Sequence, residues 1–108
     1  MAERKVDLST DELNSIRKYI KEVQKHYDID SVILFGSYAK GAHSEESDID
    51  LAVISKDIKN EFEDGIQLLK LTWGIDTRIE PHAFSKDGFE NNPFSQEIIR
   101  TGVELYVA

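Results

Sequence analysis

Apolar residues recur at alternating three- and four-residue intervals near the start of the chain, at Leu13, Ile16, Ile20, Val23 and Tyr27. That spacing predicts an amphipathic helix with one stripe facing a core. Ser9, followed three positions later by Glu12, supplies a capping box for the first turn. Lys18, Lys21, Glu22 and Lys25 fall off the stripe and form the solvated face. After a polar break at 28–30, the run S-V-I-L-F reads as a buried strand ended by Gly36. A single helical turn, capped by Ser37 and running to Gly41, leads into a polar loop.

The pattern then changes period. In D-I-D-L-A-V-I, Asp48, Asp50 and Ala52 point to one side of a strand and Ile49, Leu51 and Val53 to the other. Residues 57–71 return to helical spacing, with Ile58, Phe62, Ile66 and Leu69 as the predicted inner stripe and Leu68 and Leu71 less regular. This helix is expected to cross back over the sheet. A second alternating stretch at 74–81 sets Asp76, Arg78 and Glu80 against Ile75, Thr77 and Ile79 and stops at Pro81. Residues 82–92 read as a loop. Pro93 opens a last helix capped by Asn91 or Asn92 and ended by Gly102, and V-E-L-Y-V closes the chain as a strand. The order predicts an α+β (mixed α/β) domain with a small central mixed sheet.

Composition narrows the classes. The 108 residues suit one domain over 1–108, since a chain this short can bury only one core. Cysteine is absent, which removes disulfide frameworks, thiolate nucleophiles and Cys-based zinc sites. No leader-like apolar run follows the first basic residues, and no stretch approaches the roughly 20 apolar residues that cross a bilayer. The expected compartment is the cytoplasm, without membrane contact. With 21 acidic against 13 basic residues, the formal charge of −8 argues against binding duplex nucleic acid through clustered Lys and Arg. It leaves anionic substrates open, because bound metal ions invert the local sign.

The candidate chemistry lies between Leu34 and Leu51, in L-F-G-S-Y-A-K-G-A-H-S-E-E-S-D-I-D-L. A strand ends in Gly-Ser, a turn follows that can aim backbone N–H groups and the Ser37 hydroxyl at an anion, and an Asp-x-Asp pair stands on the next strand. Strand neighbours two apart rise about 6.6 Å on one face, so Asp48 and Asp50 can share one cation or bridge a close pair. Mg²⁺ takes such hard oxygen ligands together with substrate phosphates. Asp76 offers a third carboxylate and the proton acceptor beside a nucleophile, with Glu80 on the same strand face as its alternative. His26, His43 and His82 show no paired metal spacing and read as surface or loop residues, His43 being the one inside the motif loop. Trp73, Phe84, Phe89 and Phe94 read as core or interface anchors.

The pattern G-S-x-x-x-G followed by S-D-x-D, carried by Gly36, Ser37, Gly41, Ser47, Asp48 and Asp50, resembles the DNA polymerase beta-like nucleotidyltransferase superfamily. Its minimal nucleotidyltransferase branch is the nearest likeness, and I-D-T-R-I-E-P is similar to the strand carrying that family's third acidic residue, which assigns Asp76. The resemblance implies a polymerase beta-like fold and transfer of a nucleoside monophosphate, AMP from ATP or another nucleoside triphosphate, with release of pyrophosphate. It implies two Mg²⁺ ions on Asp48, Asp50 and Asp76, and nucleotide contacts from Gly36, Ser37, Lys40 and Ser47. Lys40 stands where many members have Arg, which keeps the charge but loses the bidentate fork. The implied partner is a small helical HEPN protein, with this chain as the antitoxin that modifies it. Two readings stand beside that one: a degenerate module neutralising its partner by contact, and a small-molecule nucleotidyltransferase of aminoglycoside type. The apolar residues around 89–94 suit a homodimer or a partner equally.

Overall fold

The computed structural model describes residues 8–44 and 47–108. Residues 1–7, the segment without an apolar leader run, lie outside the described residues. The first helix, α1, spans Thr10–Gln24, and its capping box is formed in both directions. The Glu12 N–H donates to Ser9 Oγ at 3.1 Å, and the Ser9 N–H donates to Glu12 Oε1 at 2.8 Å. Ile16, Tyr19 and Val23 are its buried apolar residues. Tyr19 joins the stripe because its hydroxyl donates to the Leu68 carbonyl at 2.8 Å, giving the buried oxygen a partner.

Strand β1 (Ile29–Phe35) leads through the single-turn helix α2 (Ser37–Lys40) to β2 (Ile49–Ser55), helix α3 (Glu61–Lys70) and β3 (Ile79–Ser85). Two short helices, α4 (Lys86–Asn91) and α5 (Ser95–Thr101), precede β4 (Val103–Val107). The sheet runs β3-β2-β1-β4. β1 is antiparallel to β2 and β4, whereas β2 is parallel to β3, with α3 as the crossover between them. The fold is α+β, as expected, and no helix among the described residues is long and apolar enough to cross a membrane.

Period two divides the sheet into two unequal faces. Val32, Leu34, Ile49, Leu51, Val53 and Ile79 point to the main core, where α1 and Leu68 of α3 cover them. Ile33, Ala52 and Ile54 point the other way and meet Phe89 of α4 and Ile98 of α5. Each fully buried Leu or Ile is worth about 1.5–3 kcal/mol. The β2 face carrying Asp48 and Asp50 is therefore acidic only at its start, because Ala52 and Ile54 further along it are 0% and 5% exposed.

The structure departs from the local pattern in several places, the last helix among them: α5 starts at Ser95 with Phe94, rather than Asn91 or Asn92, at its cap. Ser37 is the first residue of α2 rather than its cap; Gly36 takes the cap position at φ 74° and ψ −150°, a conformation essentially restricted to glycine. The stretch 74–78 forms turns rather than a strand, because the Asp76 carboxylate accepts the Arg78 N–H at 3.0 Å and offers the backbone a local alternative to the ladder. β3 instead continues through Pro81, whose missing donor is tolerated on an edge strand. The expected loop at 82–92 thus contains the rest of β3 and α4, which Ser85 caps through the Gly88 N–H.

Helix α3 turns a different side inward from the one its periodicity predicts. Asn60 caps it by accepting the Phe62 and Glu63 N–H groups, and Leu68 is its fully buried residue. Phe62, Ile66 and Leu69, predicted to face inward, are 77%, 42% and 45% exposed, and Trp73 beyond the helix is 67% exposed. The inner side is set by longer-range contacts: Tyr27 donates to Asp64 at 2.7 Å and Tyr19 to Leu68. Phe89 is buried and Phe94 exposed, so the apolar surface expected at 89–94 comes down to Phe94.

Candidate active site

Three neighbouring features of the sheet build the site. The parallel register sets Asp50 opposite Glu80 and Ala52 opposite His82. Alternation puts Asp48, Asp50, Glu80 and His82 on one face. Ligand atoms of Asp50, Glu80 and His82 all lie within 4.8 Å of one another, and His82 Nε2 is 3.2 Å from Asp50 Oδ1. Asp48 joins them from the residue before β2, near enough to Glu80 for a side-chain hydrogen bond between the two carboxyl groups. That hydrogen bond, burial and the nearby Asp50 charge push the Glu80 carboxyl above its ordinary range, and His82 opposes the shift.

Gly36 touches this group from β1. A Cβ built on it would lie 2.5 Å from Asp50 Oδ2, so glycine is required by contact as well as by its positive φ. The α2 turn thus starts directly beside the carboxylates, with first-turn N–H groups that have no carbonyl partner within so short a helix. Lys40 is exposed at its far end. Ser47 is tied into its own loop, its hydroxyl accepting the Ser44 N–H at 2.9 Å.

Asp76 is placed differently. It lies in the turn before β3 and receives Arg78 at two points, from Nε at 3.1 Å to Oδ1 and from Nη2 at 2.8 Å to Oδ2. Those hydrogen bonds outweigh burial and hold its carboxyl at about 2. Arg78 also reaches Glu12 at 3.5 Å, and Glu12 accepts the Tyr38 hydroxyl at 2.6 Å. Burial pushes Glu12 up, but the hydrogen bonds from Tyr38 and Ser9 and the Arg78 charge keep it below the ordinary carboxylate range. Burial, then the bond to Glu12, raises Tyr38 to about 12. His43 stacks on Tyr38 with ring centroids 4.0 Å apart. Asp76 therefore belongs to an ion-paired network that reaches α2 through Tyr38, and Glu80 is the acid that the register brings to Asp50.

His82, read from the sequence as a surface or loop residue, lies on β3 within the cluster. The readable signal was its spacing of two from Glu80 on an alternating strand, hidden by Pro81 between them. An apolar groove of about 620 Å³ runs along the same edge strand. Phe62, Ile66, Leu69, Pro81 and Phe84 line it together with Asp48, Glu80 and His82.

The sequence profile of the family described as "Polymerase beta, Nucleotidyltransferase" matches residues 17–108. Among curated proteins of Methanocaldococcus jannaschii, one named "Putative protein adenylyltransferase MJ1215" is 47% identical over 38 residues, covering 35% of this chain and 44% of that protein. "Putative protein adenylyltransferase MJ0126" is 38% identical over 56 residues, 52% of this chain and 50% of that protein. The matches thus span half or less of those relatives' own length. Among solved structures, a nucleotidyltransferase described as putative from Sulfolobus solfataricus superposes with TM-score 0.60 at 20% identity, covering 95% of this chain and 93% of that one. A toxin–antitoxin structure with AMP-PNP gives 0.58 at 20% identity over 93% of this chain and 75% of that one. A complex of a tri-AMPylated Shewanella oneidensis HEPN toxin with its MNT antitoxin gives 0.56 at 20% identity, over 92% and 74%. These structures share the fold.

Proposed function

From the premise that the chain belongs to the polymerase beta nucleotidyltransferase family, we propose that it transfers a nucleoside monophosphate from a nucleoside triphosphate, ATP first, to a hydroxyl group on a protein. The observation that carries this reading is the pairing of Asp50 with Glu80 in register, with Asp48 beside Glu80 and Gly36 packed against Asp50. Three carboxylates brought together repel one another, and a bound cation relieves that repulsion where otherwise one of them keeps its proton. Divalent ions of the Mg²⁺ kind, two in number, suit this oxygen-rich set and would supply charge neutralisation for the triphosphate and the departing pyrophosphate. Asp48, Asp50 and Glu80 would hold them, with Glu80 in the role that the sequence pattern gave to Asp76.

The chain's own groups divide the remaining work. The Gly36-Ser37 turn presents backbone N–H groups and a hydroxyl to phosphate oxygens, and Lys40 adds positive charge at its end. Ser47, beside Asp48, offers a hydroxyl to the nucleotide, the same oxygen that accepts the Ser44 N–H. A carboxylate of the cluster takes the proton of the acceptor hydroxyl as its oxygen attacks the α-phosphorus. The bond from that phosphorus to the bridging oxygen breaks, and pyrophosphate leaves.

A protein acceptor is supported by the names of the curated relatives and by the exposed side chains Phe62, Ile66, Leu69 and Trp73 on and after α3. Their spacing of four, three and four makes one stripe, which is the pattern of a surface that meets another protein. The toxin–antitoxin neighbours favour a small helical HEPN-type toxin as that acceptor, with this chain as a cytoplasmic antitoxin. The same stripe gives the second reading, neutralisation of the partner by contact alone, its specific support.

The two readings part in one assay. The complex is incubated with Mg²⁺ and α-labelled ATP, beside the Asp50→Asn variant. Label on the partner that disappears with Asp50→Asn, while the complex persists, supports transfer. An Asp50→Asn chain that still neutralises its partner moves the antitoxin role to contact.

A further inference from the structure

The carboxylate cluster contains one candidate donor that is not oxygen. His82 Nε2 stands 3.2 Å from Asp50 Oδ1, and ligand atoms of Asp50, Glu80 and His82 fit within 4.8 Å. The imidazole is held there by packing: Phe35 contacts it edge-on with centroids 5.0 Å apart at 62°. Its ladder partner, Ala52, has only a methyl group and leaves the ring room to lie toward Asp50. His82 is also reachable, with 37% of its side chain exposed, so a cation has a route to it. Among the described residues, this is the group of His, Asp and Glu close enough to hold a metal ion.

Two carboxylates and one imidazole form a different donor set from three carboxylates. Hard Mg²⁺ prefers oxygen and parts reluctantly with water, whereas imidazole suits later first-row cations. We propose that His82 is a direct ligand which, with Asp50 and Glu80, makes one cation position of this chain a mixed nitrogen–oxygen site that favours first-row transition cations, from Mn²⁺ to Zn²⁺, over Mg²⁺. This rests on the reading of the cluster as a cation site and specifies which cation it selects. Removing the imidazole returns the position to an all-oxygen set and makes it less selective.

Mn²⁺ is the probe, because its electron spin couples to a directly bound ¹⁴N. The purified chain is titrated with Mn²⁺ and separately with Mg²⁺, and the Mn²⁺ form is examined by pulsed electron paramagnetic resonance. Imidazole ¹⁴N modulation is expected in the wild type and absent in His82→Gln. His82→Gln should weaken Zn²⁺ about tenfold or more and Mg²⁺ by less than about threefold, as expected for loss of one nitrogen ligand. Bound Mn²⁺ without ¹⁴N modulation in the wild type, a measurement independent of how the variant folds, overturns the His82 assignment and leaves the carboxylate site standing. Equal weakening of Zn²⁺ and Mg²⁺ overturns the selectivity. Failure of every cation to bind overturns the cation site itself, and this inference with it.

Discussion

Two carboxylate clusters lie within one sheet's reach, and they are built in opposite ways. Around Arg78, Asp76 and Glu12 receive a guanidinium and a tyrosine hydroxyl, and both carboxyls fall below their ordinary range. Around Glu80, Asp48 and Asp50 bring more negative charge, only His82 opposes it, and the carboxyl rises. The first cluster is complete within the chain, and it braces the turn carrying Tyr38. The second has carboxylates in excess of internal partners, and the proposed cation site rests on that imbalance. Acidic residues alone do not mark the site; the balance of charge around them does.

Substitutions should separate the clusters. Asp50→Asn has the largest expected effect, a loss of transfer on the order of 10²- to 10⁴-fold, because the stabilisation that metal ligands provide amounts to several kcal/mol. Initial rates with α-labelled ATP measure it. Gly36→Ala comes next, since the new Cβ must displace Asp50 and the backbone must leave a glycine conformation. We expect about 1–3 kcal/mol of lost stability in urea melts, together with weaker cation binding.

Asp76→Asn should cost on the order of 2 kcal/mol and leave cation binding intact. Its carboxyl sits at about 2, below its value of about 4 in the unfolded chain. The stabilisation is therefore full above about pH 4 and disappears as pH falls through about 2. Urea melts across that window should slope in the wild type and lose this contribution in Asp76→Asn. Glu80→Gln has the smallest effect on stability, and of opposite sign. Without cations it removes a crowded like charge, and the melting temperature should stay level or rise by no more than about 4 °C.

Much of this was legible locally. Ser9 and Glu12 announce α1, the alternation of 48–54 announces β2, and Gly36-Ser37 with Asp48 and Asp50 marks the candidate site, where Gly36 does lie against Asp50. What escaped is non-local. Glu12 reads as a capping residue, yet its second oxygen serves Tyr38 and Arg78, 26 and 66 positions away. Asp76 and Glu80 are equivalent in an alternating pattern, and only an Asx-type turn at Asp76 delays β3 and hands the register to Glu80. On α3 the apolar stripe that periodicity sends inward faces out, because hydroxyls from Tyr19 and Tyr27 fix the other side. The stripe lines the groove along β3 instead.

The central claim is that Glu80, rather than Asp76, completes the cation site with Asp48 and Asp50. Thermal melting of the wild type, Asp76→Asn and Glu80→Gln, with and without saturating divalent cation, tests it without knowledge of the acceptor. A ligand at about 100 times its Kd adds about 2.7 kcal/mol to the folded state. The account predicts that the cation raises the melting temperature of the wild type and Asp76→Asn equally and leaves Glu80→Gln nearly unmoved. A cation response lost in Asp76→Asn and kept in Glu80→Gln would contradict it.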